Sequence, residues 1–287
     1  MGLPIDVTGA VERRIRDRDG TGWLWVYDVP GPSADAPPVL LVHGLGVTAH
    51  LTWRPSYAAL AKHFRVITMD LPGHGRGRRT RRFSLEECAD DAAHVLEALG
   101  IERCVIAGYS LGGPIAKLLW QRHRARVAGL VLAATAMEFL PGGRGRILRM
   151  LAPIATALVF TRPAAVRREL IERTCERLDR SCADADVATE LSGHHLLTVL
   201  EAARAAVAFS SRSWAGAIDV PVAVIVIAED DRIAPSRQRA LAVAIPGASM
   251  IEVPGAHTAC ATSADTFVPA LADACLGVWS RGGAIDR

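Results

Sequence analysis

Four segments of this chain are unbroken apolar runs, Val39 to Val42, Val66 to Met69, Cys104 to Ala107 and Val127 to Ala133, and between them the sequence reads as helix or turn. A strand with apolar side chains on both faces has no face to offer water, so such runs suit parallel strands covered by helices on both sides. The clearest intervening helix is Ser84 to Leu99. It begins with Ser84 and Glu87 at capping-box spacing and stops at Gly100, which accepts the left-handed conformation that ends a helix. The alternation resumes with the apolar run Val222 to Ile227, a helical pattern from Ser236 to Ala244, a short strand at Met250 to Val253 and a last helix from Ala264 to Trp279. Ahead of them all, Trp23 to Val29 alternates large apolar residues with others and follows Asp19-Gly20, a dipeptide that favours a tight hairpin, so the chain opens with antiparallel strands. This order predicts an α/β fold: a mostly parallel sheet, helices on both faces, and ligands at the carboxyl ends of the strands.

The alternation breaks between Ala136 and Ala217, where Ala, Arg, Leu and Glu dominate and strand signals vanish. We read 136–217 as a helical cap inserted after the sixth strand, hinged at Pro141-Gly142-Gly143 and at Trp214 to Asp219, with 1–135 and 218–287 forming the core. The chain is long enough, at 287 residues, to bury a sizeable core, and 50% hydrophobic with 22% charged residues argues against a disordered polymer. Its longest apolar stretch, Ile147 to Phe160, is interrupted by Arg149 and Pro153 and falls short of the roughly 20 residues a membrane-spanning helix needs. Six cysteines form no CxxC pair and nothing at the N-terminus resembles a secretory signal, so the expectation is free thiols and a cytoplasmic location.

The sharpest chemical feature is Gly108-Tyr109-Ser110-Leu111-Gly112-Gly113, which follows an apolar strand and precedes the helical stretch Ile115 to Arg122. That context is what a GxSxG elbow requires: a serine in a tight strand-to-helix turn projects its hydroxyl above the sheet, and flanking glycines let the backbone turn without collision. A serine needs a base, and a histidine base needs a third group to fix its tautomer. The strand Val222 to Ile227 leads into the acidic loop Ala228-Glu229-Asp230-Asp231, and the next strand leads into Pro254-Gly255-Ala256-His257. Ser110, Asp231 and His257 thus stand in the order serine, acid, histidine.

With these motifs the chain resembles the α/β-hydrolase superfamily, in its capped esterase and epoxide-hydrolase-like branch, over nearly its whole length. The family's His-Gly turn matches His43-Gly44-Leu45-Gly46, and its Asp-x-Pro-Gly-x-Gly turn matches Asp70-Leu71-Pro72-Gly73-His74-Gly75. The resemblance implies an oxyanion hole from the backbone amides of Leu45 and Leu111. It also implies Asp231 as the acid, because the family's Gly-x-x-Asp pattern aligns with Ala228 and Asp231; alanine replaces the glycine, so Asp230 stays the alternative. Ser110 in place of a carboxylate nucleophile disfavours dehalogenation and epoxide opening.

Of the other histidines, His43 and His74 read as structural parts of their turns. His194-His195 lack a carboxylate or cysteine spaced to complete a metal site, so neither metal nor cofactor is expected. Arg76, Arg78, Arg79, Arg81 and Arg82 crowd one segment, and Arg144, Arg146, Arg149, Arg162, Arg167 and Arg168 stud the cap. Without interleaved aromatic residues they read as a solvated face rather than a nucleic-acid site. Tyr109, Met137, Phe139 and Leu140 are candidates for substrate contact, and the run Ile147 to Phe160 either lines the cleft or packs the cap. The expected activity is cofactor-independent hydrolysis of a small carboxylic ester with an apolar part. A thioester, lactone or carbon–carbon substrate, or a slow-turnover receptor with a moving cap, are the alternatives.

Overall fold

The computed structural model describes residues 9–80, 82–140 and 193–282. Eight strands form one sheet: β1 (Val11–Arg16), β2 (Trp23–Val29), β3 (Pro38–Val42), β4 (Arg65–Met69), β5 (Cys104–Tyr109), β6 (Val127–Ala133), β7 (Val222–Ile227) and β8 (Ser249–Val253). Their spatial order is β1-β2-β4-β3-β5-β6-β7-β8. β1 pairs antiparallel with β2, and β2 with β4; every later pairing is parallel. The hairpin expected at Asp19-Gly20 joins β1 to β2, with Gly20 at φ 69°.

Helices cover both faces, as double-sided burial of the central strands requires. On one face lie α2 (Leu85–Ala98), α3 (Gly112–Arg122) and α5 (Pro235–Ala244), which pack on Ile106, Leu130, Leu132, Val224 and Val226. On the other lie α1 (Ala49–Leu60), α6 (Ala259–Thr262) and α7 (Ala264–Gly282), packed on Val105, Ala107, Val131, Ile225 and Ile227. Residue numbers alternate between the two clusters along each strand, the period-2 signature that an unbroken apolar run conceals. The capping box is half realised: Ser84 accepts from the Glu87 amide at 3.2 Å, and Gly100 closes α2 at φ 68°.

The interval 136–217 is described only at its two stems. Residues 136–140 leave β6, and α4 (Leu196–Ala208) leads back through residues 209–217 toward β7. The stems meet in an antiparallel bridge, Glu138 with Ser210, and the Ser211 amide donates to Met137 O at 2.8 Å. The Pro141-Gly142-Gly143 hinge, the run Ile147 to Phe160 and the cap arginines lie outside the described residues. Among the described residues no helix is long and apolar enough to cross a membrane.

Candidate active site

Ser110 sits at the turn between β5 and α3 with φ 51°, in the left-handed region. Two glycines make so tight a turn passable. A Cβ on Gly108 would lie 2.3 Å from Gly112 O, and one on Gly112 would lie 2.2 Å from Val42 O, both impossible contacts with backbone. The turn is tied to the next strand by the Ser110 amide, which donates to Ala133 O at 2.9 Å.

The Ser110 hydroxyl donates to His257 Nε2 at 2.9 Å, and His257 Nδ1 donates to Asp230 Oδ2 at 2.8 Å. A carboxylate only accepts, so Nδ1 carries the ring proton and Nε2 presents its lone pair to the serine. Asp230 Oδ1 accepts from the amides of Arg232 and Ile233 at 2.9 and 2.8 Å, and Oδ2 accepts from Gln238 Nε2 at 2.8 Å. Burial, the largest single influence, pushes the Asp230 carboxyl up. The hydrogen bond and charge of His257, with the Ile233 and Arg232 amides, outweigh it and hold the group below the usual carboxylate range.

The expectation for the acid is therefore corrected by one residue. Asp230 is 6% exposed and bonds His257, whereas Asp231 is exposed. The physical reason is the turn after β7: the Asp230 amide donates to Ile227 O at 3.3 Å, and its side chain accepts from the Arg232 and Ile233 amides, which holds it inward. Glu229, taken as a solvated neighbour, is exposed but accepts from the Gly255 amide and so ties the acid loop to the histidine loop.

Tyr109, a candidate for substrate contact, is placed by the fold in the core. Only 3% exposed, it packs edge-on to Trp53 and Phe267 beneath the histidine loop, and its hydroxyl donates to His257 O at 2.8 Å. One position from Ser110 along the strand means the opposite face, which this alternation could have revealed.

Leu111 follows Ser110 at the start of α3, where no side chain caps the helix. Gly44 lies beside the serine: a Cβ there would meet Ser110 Cβ at 3.5 Å, so the Gly44-Leu45 turn borders the hydroxyl. Among the described residues, neither the Leu45 nor the Leu111 amide donates to another protein group. Fully buried His43 fixes this turn. Its Nδ1 donates to Gly44 O at 2.7 Å, its Nε2 accepts from the Leu71 amide at 2.8 Å, and burial pulls its pKa down to about 4. With both ring nitrogens used, it serves the turn and not proton transfer. Asp70 is similarly engaged, accepting from the Ala49 and Arg76 amides at 2.8 and 2.9 Å.

Met137 and Phe139 pack half-buried against the α2–α3 core, and Leu140 is half-buried at the end of the described stem. Arg76 and Arg78 are internal fasteners: Arg76 stacks on Trp25 and pairs with Glu12, and Arg78 pairs with Asp91 at 3.1 Å. His194 and His195 cap the approach to α4, where the His195 amide donates to Gly73 O at 2.8 Å. Among the described residues no three His, Cys, Asp or Glu side chains converge to hold a metal ion. Two contributors escaped the sequence reading. Gln238 on α5 is one, and Lys117 on α3, fully buried, is the other, with Nζ donating to Ala136 O at 2.8 Å and Ser211 Oγ at 3.0 Å.

The strand order, the elbow and the serine–histidine–carboxylate chain together have the form of a sheet-based hydrolase. The alpha/beta hydrolase family pattern matches residues 39–270. The magnesium-chelatase 30 kDa subunit of Rhodobacter capsulatus is 37% identical over 163 residues, 56% of this chain and 54% of that protein, so the match spans about half of that subunit. The putative carbamate hydrolase RutD of Klebsiella pneumoniae is 31% identical over 251 residues, covering 85% of this chain and 93% of that protein. The solved enol-lactonase from Burkholderia xenovorans LB400 superposes with a TM-score of 0.70 at 25% identity, covering 91% of this chain and 98% of that one. The chain belongs to the alpha/beta hydrolase family and is a hydrolase enzyme.

Proposed function

We propose that the enzyme is a serine hydrolase that cleaves a small carboxylic ester with an apolar acyl or alcohol part through an acyl-enzyme. The observation that carries this is the unbroken chain Ser110 Oγ to His257 Nε2 at 2.9 Å and His257 Nδ1 to Asp230 Oδ2 at 2.8 Å. Ser110 Oγ attacks the ester carbonyl while its proton passes to His257 Nε2. The negative oxygen of the tetrahedral intermediate is held by the amides of Leu111 and Leu45. His257 then returns the proton to the departing alcohol. Water attacks the acyl group next, His257 takes its proton, and Ser110 leaves with the proton restored. Asp230 keeps the histidine in the required tautomer and balances its positive charge. An oxyanion donor is worth about 100-fold to 1,000-fold in rate, so the two amides are a large part of the catalytic effect.

Residues 136–217 are the cap in this reading. The paired stems at Glu138 and Ser210 support it, since they make the interval a closed excursion from the core. Met137, Phe139 and Leu140 lie at its entrance, where an apolar group would gain about 0.8 kcal/mol per buried methylene. A cyclic ester is the second reading, favoured by the likeness to an enol-lactonase at 25% identity across 91% of this chain. The test is hydrolysis of p-nitrophenyl esters from acetate to palmitate, with a series of lactones in the same panel, by wild type and Ser110→Ala. Turnover on some member and a loss on the order of a million-fold in the variant are expected. Undiminished turnover in Ser110→Ala would refute the mechanism.

A further inference from the structure

The acid loop presents two neighbouring aspartates, and the hydrogen bonds made by Gln238 single out one. Gln238 stands on the first turn of α5, is fully buried, and spends its amide on three partners. Its Oε1 accepts from the Ile227 amide at 3.0 Å, the last residue of β7. Its Nε2 donates to Ile233 O at 2.8 Å and to Asp230 Oδ2 at 2.8 Å. This pattern leaves no freedom in the amide's orientation. Turned over, Oε1 would oppose both a carboxylate and a carbonyl while Nε2 opposed an N–H, replacing three attractions with three repulsions.

We propose that Gln238 is the positioning residue of the triad acid: it selects Asp230 over Asp231 and aims the ionised carboxylate at His257. The inference rests on the serine-hydrolase reading above. Gln238 reaches the end of β7, the far side of the acid loop and the carboxylate at once, so it sets the loop's inward turn as well as the carboxylate's angle. The two backbone amides on Oδ1 fix one oxygen, and Gln238 fixes the other. Held in this way, the carboxylate presents both oxygens to the imidazole, with His257 Nδ1 3.0 Å from Oδ1 and 2.8 Å from Oδ2.

The isosteric substitution Gln238→Glu tests this directly. Like charge at hydrogen-bond distance raises the second ionisation of a carboxyl pair, so near pH 6 the pair shares one proton and the new residue still donates to Asp230. As pH rises and that proton leaves, repulsion displaces Asp230 and the imidazole loses its partner. The readout is the rate at which a fluorophosphonate probe labels Ser110, which requires an activated serine but no knowledge of the substrate. Wild type is expected to label over the whole range. Gln238→Glu is expected to match it within about threefold near pH 6 and to fall at least about tenfold behind by pH 9, a new alkaline limb that a merely structural role would not create. Gln238→Leu, read alongside it by the NMR titration of the His257 ring, is expected to shift the ring's titration and to label about 10-fold to 100-fold more slowly, by analogy with the loss of a group that orients a metal-bound side chain at one remove. A Gln238→Glu profile parallel to wild type, or a His257 titration unchanged in both variants, would overturn the proposal. Failure of the folded wild type to label at all would instead sink the serine-hydrolase reading, and the NMR titration would still decide the role of Gln238.

Discussion

Ser110 at φ 51° occupies backbone space that a non-glycine residue enters at a cost of about 1–3 kcal/mol, and the surrounding contacts hold it there. The same turn sends the neighbouring side chain the other way. Tyr109, at the end of the interior strand β5, meets the backbone of the histidine loop, so the serine contacts the imidazole and the tyrosine holds the carbonyl of the same residue. Removing only the hydroxyl, in Tyr109→Phe, leaves the ring packing on Trp53 and Phe267 intact but strands His257 O. The expected result is a stability loss of about 1–2 kcal/mol in urea unfolding, the range for an orphaned buried acceptor, with kcat lowered about tenfold and KM unchanged. A changed KM with normal kcat would mean that Tyr109 touches substrate after all. The burial of this residue was legible in principle: GxSxG specifies the turn, and the period-2 alternation of a strand sends the residue before the serine to the other face.

At the scale of elements, α3 does two jobs. Leu111, its N-cap, places its amide beside Ser110, and Lys117 in its middle ties together the two stems of the 136–217 interval through Ala136 O and Ser211 Oγ. The ammonium group has no carboxylate among these contacts; the ring of Phe209 lies 4.9 Å away. Burial pulls its pKa from the ordinary 10.5 to about 7. Between these values the unfolded chain binds a proton that the native lysine has released, so this group's cost to stability is largest below about pH 7 and fades as pH rises toward 10.5. At about 1.4 kcal/mol per unit the effect is a few kcal/mol. Wild type is therefore expected to gain stability between about pH 7 and pH 10 relative to Lys117→Met, measured by urea midpoints across that range. Parallel pH profiles would show the lysine to be already paired or exposed. The helix that the sequence analysis missed is α1: Thr48 caps it by accepting from the Leu51 amide at 3.1 Å and Ala49, Trp53, Tyr57 and Leu60 are buried along one face, but Pro55 in its interior argues against a helix when the sequence is read alone. α2, with its capping serine and terminal glycine, was legible almost to the residue.

On the scale of the whole molecule, the sheet makes one site from positions 110, 230 and 257, which lie at the carboxyl ends of three parallel strands in the order β5, β7, β8. The apolar runs made those strands readable, and chain order made the grouping of serine, acidic loop and histidine readable. The expectation within the loop was Asp231 with Asp230 as the alternative, and the hydrogen bond to His257 falls on Asp230, because adjacent loop residues share composition and order and differ only in which way a tight turn sends each side chain. That turn depends on Ile227, Ile233 and Gln238, residues from a strand, a loop and a helix whose meeting is a property of the fold. The serine–histidine–Asp230 chain is tested by comparing kcat/KM of Asp230→Asn and Asp231→Asn on the ester that wild type cleaves best. Asp230→Asn is expected to fall about 10,000-fold, the loss seen when an amide forces the wrong histidine tautomer in a serine protease, and Asp231→Asn to change within about twofold. Full activity in Asp230→Asn, or collapse in Asp231→Asn, would contradict it.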